Sequence, residues 1–227
     1  MKNFLNVAYS SSKKKVTTVY PNALVKHLIK KFYIKENSKL FEPGFGRGEF
    51  LYQFQKMNMQ CYGIDYSIFS EKNKLDLDLS NLKIHDAESF PYPFEDNFFD
   101  VIYSKSFIEH FYYTDKLMKE FFRILKPGGK IITLTPNWTY MYKIFYDSCT
   151  HRTPFTKKSL QDLHEIIGFK NVRCENFKQI PSLWDDNIFL NFASEITRKF
   201  FPNHFIKKNK WIRFSKEIMI LCYAEKN

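Results

Sequence analysis

The chain has 227 residues, of which 44% are hydrophobic and 26% are charged. This composition can bury a real core, and it excludes a disordered or fibrous protein. No stretch approaches the roughly 18–20 uncharged residues that a membrane-spanning helix needs, and the first residues lack the apolar core of a signal peptide. We therefore expect a single cytoplasmic domain, 1–227.

The net charge of +11 is concentrated at the two ends of the chain. The first 35 residues carry eight lysines and no acid, residues 191–227 carry eight basic and three acidic residues, and the middle is nearly neutral. Basic ends fit solvated lysine-rich faces, or attraction to nucleic acid or to an anionic membrane surface. Because a nucleic-acid enzyme more often places its basic residues around the active-site mouth, nucleic acid is the less favoured partner.

Four cysteines lie tens of residues apart, and no two form a C-x-x-C pair: Cys61, Cys149, Cys174 and Cys222. This spacing supports neither a zinc site nor a disulfide framework. We therefore expect ordinary thiols in a reducing compartment and no bound metal.

Short β-like runs alternate with helical patterns along the chain. The predicted strands are Ser38–Glu42, Gln60–Asp65, Leu82–Asp86, Phe98–Ser104, Lys130–Thr135, Val172–Phe177 and Ile218–Ala224. The first predicted helix lies in the basic N-terminal extension 1–37 and is capped by Asn22, and the second covers about 50–57. Two more are predicted at Asp115–Leu125, with a stop signal at 126–129, and at Ser159–Ile167, with Gly168 after it. This alternation predicts an α/β domain with a mostly parallel sheet and helices on both faces.

Residues 181–215, between the last two predicted strands, are predicted to form an amphipathic helical insertion. Ile188, Phe192, Ile196 and Phe200 recur every four residues and so share one helix face. A basic, aromatic run follows. Three interpretations stay open: packing across the sheet or a pocket, a substrate lid, or contact with a membrane surface.

A glycine-rich turn follows the first predicted strand. Three glycines, Gly44, Gly46 and Gly48, come after Glu42 in the sequence E-P-G-F-G-R-G. Glycines let a ligand approach the backbone, and the next helix offers unpaired amide donors. The third glycine comes one residue too early for a dinucleotide fingerprint, and Glu49 is poorly suited to pyrophosphate. The turn therefore predicts a ligand other than a dinucleotide.

A strand-end acid, Asp65, lies 21 residues after Gly44. At this spacing an acid reaches ribose hydroxyls in nucleotide-binding α/β folds. The acid and the glycine turn, both at carboxyl ends of strands, together predict a site for a ligand that contains a nucleoside.

Further motifs make the chain resemble the class I S-adenosylmethionine-dependent methyltransferases. The motifs are E-P-G-F-G-R-G, G-I-D, D-A-E-S-F-P-Y-P-F-E-D-N-F-F-D-V-I and F-R-I-L-K-P-G-G-K-I, between Ser38 and Phe177. The pattern is most similar to small-molecule O-methyltransferases of ubiquinone biosynthesis and of sugar or glycan methylation. The resemblance implies a Rossmann-like seven-stranded sheet whose last strand is antiparallel, and S-adenosylmethionine as cofactor.

The resemblance also implies which residues bind the cofactor. They would be Glu42, Gly44, Gly46 and Gly48 at its amino-acid end, Asp65 at the ribose, Tyr66, Asp86 and Ala87 around the adenine, and Ser104 near the methionine part.

The acceptor side is predicted from the chemistry of the reaction. Methyl transfer from a sulfonium is an in-line displacement, so alignment and desolvation supply much of the acceleration. A hydroxyl acceptor also benefits from a base, for which histidine is the usual choice. His110 and His151 follow the fourth and fifth predicted strands, where open α/β sheets bind ligands. We expect either of them as the base, with Arg152 contacting an anionic acceptor group.

The sequence therefore predicts an enzyme that O-methylates a small molecule or a sugar or glycan acceptor. One rival hypothesis is an RNA or other nucleic-acid methyltransferase, whose RNA binding would depend steeply on salt. The other is a non-catalytic module that keeps the cofactor fold. A membrane-associated acceptor is a variant of the first hypothesis, and the oligomeric state is left open.

Overall fold

The structure is a computed structural model that describes residues 19–66, 75–184, 187–202 and 209–227. Its strands are β1 (Lys39–Pro43), β2 (Gln60–Asp65), β3 (Leu82–Ile84), β4 (Phe99–Lys105), β5 (Leu125–Pro136), β6 (Lys170–Phe177) and β7 (Met219–Glu225). Its α-helices are α1 (Val19–Phe32), α2 (Glu49–Gln55), α3 (Thr114–Ile124), α4 (Trp138–Met141), α5 (Lys157–Ile167), α6 (Ile188–Phe200) and α7 (Lys210–Lys216). Short 3-10 turns cover Ile108–His110, Phe145–Asp147 and Pro181–Leu183.

The seven strands form one sheet in the order β3-β2-β1-β4-β5-β7-β6. Strands β2 and β4 flank β1 in parallel, and β3 is parallel to β2. Strand β7 runs antiparallel to β6. The predicted Rossmann-like fold class is therefore confirmed. The strand order reverses between β1 and β4, and open α/β sheets bind ligands at such a switch point.

The described chain packs into two compact units. The first comprises the residues up to Ser104 together with Lys116–Ile131 and Lys226–Asn227, and the second comprises Lys105–Asp115 and Ile132–Glu225. The single domain expected from the sequence stays a prediction. Part of the predicted basic extension, residues 1–18, and the start of the basic run, 207–208, lie outside the described residues.

Aromatic side chains form much of the core of the first unit. Phe41 on β1 stacks on Phe99 of β4 with ring centroids 5.1 Å apart, and it meets Phe94 and Phe121 edge-on at 5.3 and 6.3 Å. Aromatic pairs in these geometries stabilise a core beyond the area that they bury. A large share of the aromatic residues is thus structural, and these rings hold β1 and β4 on either side of the switch point.

One local prediction was wrong. Asn22 does not cap α1, because the helix already begins at Val19 and carries Pro21 in its first turn, where the missing proline amide costs no hydrogen bond. The predicted helix stop is confirmed, because α3 ends at Ile124, but residues 126–129 already belong to β5, which is longer than predicted. The backbone of Gly128 and Gly129 exchanges hydrogen bonds with Lys226, which draws this segment into the sheet.

The cysteines also depart from the expected four thiols. Cys174 and Cys222 lie directly opposite each other in the β6–β7 register and form a disulfide, whereas Cys61 and Cys149 are free. The two bonded cysteines are 48 positions apart in the sequence, and the antiparallel pairing of β6 and β7 brings them into contact. None of the helices within the described ranges is long and apolar enough to cross a membrane.

Candidate cofactor and acceptor sites

The first candidate site is the turn that joins β1 to α2 in the first unit. Gly44, Gly46 and Gly48 have φ angles of 63°, 56° and 73°. These values lie in the left-handed region that glycine adopts at little cost. Gly48 is the N-cap of α2, and the opening amides of a helix have no partner within that helix. The turn therefore needs its three glycines to follow this path.

Asp65 joins the turn to the next strand. Its carboxylate is buried at the end of β2, and Oδ2 accepts a hydrogen bond of 2.8 Å from the Gly46 amide. A Cβ atom at Gly63 would lie 2.7 Å from Cδ1 of Phe45, so the glycine of G-I-D leaves room for the turn to pack on β2. The two sequence motifs therefore form one structural unit.

Buried polar groups lie at the ends of β1 and β4. Glu42 is buried on β1, and its negative charge adds to the effect of burial in raising the pKa of the Tyr103 hydroxyl. The hydroxyl groups of Tyr103 and Ser104 are buried and have no hydrogen-bond partner among the described residues. Buried polar atoms are nearly always paired in native proteins. Because neighbouring strand residues point to opposite faces of the sheet, the two hydroxyls do not share one site; Ser104, near the end of β4, is the one that a polar ligand could complete.

A tyrosine and a carboxylate meet beyond β2 and β3. The Tyr66 ring is 59% exposed, and its hydroxyl donates a 2.8 Å hydrogen bond to Oδ1 of Asp86. Burial of the hydroxyl and this hydrogen bond raise the pKa of Tyr66 to about 12. Ala87 is buried, and its carbonyl accepts a hydrogen bond from Tyr92. The segment thus offers an exposed aromatic face beside a fixed acceptor, which suits a flat heterocycle with an amino group.

The second candidate site lies in the second unit, around Glu109. This residue is fully buried in the 3-10 turn after β4, and the Thr135 hydroxyl donates a 2.9 Å hydrogen bond to its Oε2. The main-chain carbonyl of Glu109 accepts hydrogen bonds from the amides of Arg152 and Thr153 at 2.7 and 3.1 Å. These bonds hold the loop after β5 against the turn after β4.

His110 and His151, the two candidate bases, lie beside each other near Glu109. The ring centroids of His110 and His151 are 5.0 Å apart. Nδ1 of His151 lies 2.6 Å from the Phe145 carbonyl, and Nδ1 of His110 lies 3.2 Å from the Thr150 carbonyl. Because a carbonyl only accepts, Nδ1 of His151 carries the proton and its Nε2 carries the lone pair. The backbone of Ser106 also interacts with the His110 ring, so His151 is the better placed base.

Burial sets the charge of this cluster. It lowers the pKa of His110 to about 4, with a smaller effect from His151. It also lowers the pKa of His151. Burial raises the pKa of Glu109 to about 7. Both imidazoles are therefore neutral at pH 7 and able to accept a proton.

The same three residues also make a possible set of metal ligands. One ligand atom each of Glu109, His110 and His151 lies within 4.8 Å of the others. Two imidazoles and a carboxylate are ligands that divalent transition metals use. The contacts of the His110 ring with two backbone segments occupy the ring nitrogens that a metal would need. The absence of a metal stays a prediction, and treatment with a chelator tests it.

Arg152 and Phe145, both after β5, complete this region. Nη1 of Arg152 donates hydrogen bonds to the carbonyls of Cys149 and His151 at 2.6 and 3.2 Å, so its own loop holds the guanidinium. Phe145 is buried against the His151 ring with centroids 4.5 Å apart. Phe145 thus supports the ring of the candidate base, His151.

Two roles were missed by the sequence analysis. Neither Glu109 nor Tyr103 was singled out. An acid between the apolar residues of F-I-E-H-F was a signal for a buried carboxyl. A tyrosine in an apolar strand carries no comparable signal.

The comparisons agree with this fold. Residues 41–133 match the family described as Methyltransferase domain. The chain is 31% identical over 168 residues to phosphoethanolamine N-methyltransferase 2 of Caenorhabditis elegans, covering 67% of this chain and 38% of the relative. It is 33% identical over 107 residues to the chloroplastic tocopherol O-methyltransferase of Arabidopsis thaliana, covering 44% of this chain and 31% of that enzyme.

A solved structure supports the same fold. The phosphoethanolamine N-methyltransferase 2 of Haemonchus contortus, in complex with phosphomonomethylethanolamine and S-adenosylhomocysteine, superposes with a TM-score of 0.64 at 20% identity. The superposition covers 89% of this chain and 52% of that chain. Residues 41–133 thus match a methyltransferase domain, and the chain shares the fold of the solved methyltransferase complex. The chain is similar to enzymes with different acceptors, and it spans under two fifths of the length of both curated relatives.

Proposed function

We propose that this chain transfers a methyl group from S-adenosylmethionine to a hydroxyl of a small molecule or of a sugar or glycan acceptor. The hydrogen bond from Gly46 to Asp65 carries the proposal, because it joins the glycine turn and the strand-end acid into one site. The matched domain and the solved complex support the choice of cofactor.

The residues of the first unit have distinct tasks in this proposal. Glu42 binds the charged amino-acid end of the cofactor, and the three glycines let that end approach the backbone of the turn. Asp65 accepts hydrogen bonds from the ribose hydroxyls, and the buried hydroxyl of Ser104 binds near the methionine part. The Tyr66 ring packs on the adenine, Asp86 accepts a hydrogen bond from its amino group, and the backbone of Ala87 meets a ring nitrogen. The bound cofactor supplies a methyl group on a sulfonium, which needs no further activation.

His151 acts on the acceptor in the second unit. Its Nε2 would accept the proton of the acceptor hydroxyl, while the cofactor would supply the methyl group and leave as S-adenosylhomocysteine. The imidazolium that forms stays bound through Nδ1 to the Phe145 carbonyl at 2.6 Å. His110 packs beside it and keeps the pair neutral before the reaction, since a second positive charge there is unfavourable.

An amine acceptor is the second candidate. The similarity to a phosphoethanolamine N-methyltransferase favours it. An ammonium group must also lose a proton before it attacks, and a neutral imidazole accepts that proton equally well. Arg152 suits a phosphate in this case, because guanidinium groups pair with phosphates. Locating labelled methyl on oxygen or on nitrogen of the product separates the two candidates.

A calorimetric titration of S-adenosylhomocysteine tests the cofactor site. We expect binding to the wild-type protein and a loss of about 5- to 150-fold in affinity for Asp65→Ala, which corresponds to roughly 1–3 kcal/mol for an unpaired buried partner. The exposed Asp76 gives a matched control, and Asp76→Ala should bind like wild type. Absence of binding to the wild-type protein would overturn the proposal and leave only the fold.

The rival hypotheses predict other results. A nucleic-acid methyltransferase predicts RNA binding that falls steeply with salt and label transferred to RNA. A non-catalytic module predicts S-adenosylhomocysteine binding without transfer to any acceptor class.

A further inference from the structure

Helix α6 in the second unit packs with its polar side inward. Ser194 and Thr197 are buried, and the Ser194 hydroxyl donates a 3.0 Å hydrogen bond to Ser215 of α7. The indole nitrogen of Trp211 donates to the Thr197 hydroxyl at 3.1 Å. Polar side chains therefore fix α6 on α7, which is the reverse of the usual amphipathic helix.

The apolar side of α6 faces solvent as a consequence. Its exposed residues, with their exposed fractions, are Ile188 (79%), Phe189 (87%), Phe192 (67%), Ile196 (41%), Phe200 (75%) and Phe201 (46%). We call these six residues the α6 apolar row. Single exposed apolar residues are common, but a contiguous row marks an interaction surface.

Among the described residues, the exposed charges on α6 and at the start of α7 are positive. Lys199 is exposed in the last turn of α6, next to Phe200, and the exposed Lys210 begins α7, the helix that packs on α6. The acidic residue of α6, Glu195, is neutralised by ion pairs with Lys178 and Arg198 at 2.7 Å each. The surface therefore combines exposed aromatic groups with cations that no exposed α6 acid offsets.

We propose that the α6 apolar row binds an anionic lipid surface. Phenylalanine and isoleucine side chains enter the boundary between headgroups and acyl chains, while lysines beside them pair with anionic headgroups. The 13-residue helix is too short to span a bilayer, so it lies in the plane of the surface. A second copy of this chain with the same face would bring the same cations together, which argues against self-association.

Flotation of the full chain with vesicles tests the proposal. We expect binding to vesicles of phosphatidylcholine with phosphatidylglycerol, weaker binding to phosphatidylcholine alone, and loss of binding to the anionic vesicles at high salt. The double variant Phe189→Ser/Phe192→Ser should lower the partition coefficient at least about tenfold, because two large apolar side chains no longer enter the lipid. The matched control is Ile166→Ser on α5, a residue that is 80% exposed and should leave binding unchanged.

Several results would overturn the proposal. Wild-type protein that does not float with anionic vesicles is one. Equal flotation of the double variant and the wild type is another, since the basic ends alone would then explain binding. A wild-type dimer in light scattering that the double variant converts to a monomer would assign the row to a second copy of the chain. Circular dichroism spectra and melting curves that match those of the wild type confirm that each variant is folded, and failure of the proposed enzymatic function leaves the flotation result unaffected.

Discussion

The glycine turn of the first unit and the imidazole pair of the second unit are built in different ways. The turn and its anchor, residues 42–65, lie within one β-α-β segment, and three positive φ angles make glycine necessary there. The imidazole pair joins His110 to His151, and main-chain carbonyls hold both rings. Side-chain identity thus specifies the first site, whereas the tertiary path of the backbone specifies the second. Substitutions should therefore affect binding in the first unit and turnover in the second.

Replacement of the candidate base gives the largest expected effect. His151→Ala should lower kcat by about 10²- to 10⁴-fold, the usual contribution of a general base. Its affinity for S-adenosylhomocysteine should match that of the wild type, because the cofactor residues belong to the other unit. Rates and calorimetric titrations of the same preparation measure the two effects.

Two controls accompany this variant. His27→Gln, a substitution in α1 of the first unit, should leave kcat unchanged. Treatment with EDTA should also leave the wild-type rate unchanged, since the mechanism uses no metal. A rate that EDTA abolishes and Zn²⁺ restores would instead make Glu109, His110 and His151 metal ligands.

The pH dependence of kcat tests whether His151 or Glu109 is the base in the second unit. The neutral form of His151 is active, and burial lowers its pKa below the usual 6.5. Activity should therefore be constant near neutral pH and reach half its maximum only below pH 6.5. If Glu109 were the base, the loss would centre on its pKa of about 7 as the pH falls. A profile centred there would contradict the role of His151.

A smaller effect is expected on the stability of the second unit. The pKa of Glu109 is raised to about 7 from an ordinary 4.5, so the neutral carboxyl stabilises the fold fully below pH 4.5, and this stability is lost as the pH rises through 7. Glu109→Gln cannot ionise. The fall in Tm between acidic and mildly alkaline buffer should shrink by on the order of 5 °C in this variant. Calorimetric melts of both proteins that fall in parallel with pH would contradict a buried neutral carboxyl.

The smallest effect concerns the exposed edge of the first site. Tyr66→Phe removes the hydrogen bond to Asp86 but keeps the ring, so affinity for S-adenosylhomocysteine should fall by less than about threefold. Tyr66→Ala removes the ring and should weaken binding more, by roughly tenfold. Calorimetry orders the two variants, and equal losses would show that the ring does not pack on the adenine.

The sequence predicted the sheet well because strands and turns leave local signals. Strand β2 has the predicted ends, and α5 ends before Gly168, whose φ of 114° requires a glycine. The sequence could not predict the disulfide partners or the contact between Glu109 and Thr135. Each depends on which strands become neighbours, and residue periodicity does not contain that information.

Helices α5 and α6 show the same limit. The four-residue repeat of α6 correctly predicts an amphipathic helix, yet its apolar side faces outward while α5 buries Leu160. A four-residue repeat shows which residues share a helix face, but it does not show whether that face points to the core or to solvent. The buried Ser194 and its hydrogen bond to Ser215 show that the polar side of α6 is the packed one.

Transfer of labelled methyl from S-adenosylmethionine to a panel of acceptors tests the central proposal most directly. The panel should include small-molecule hydroxyl compounds, sugars, phosphoethanolamine and RNA, with wild type, Asp65→Ala and His151→Ala assayed together. We expect label on a hydroxyl acceptor with the wild type, and strongly reduced transfer with each variant under subsaturating cofactor. Label on no acceptor, from a protein that still binds S-adenosylhomocysteine, would contradict the proposed enzyme and support a non-catalytic module.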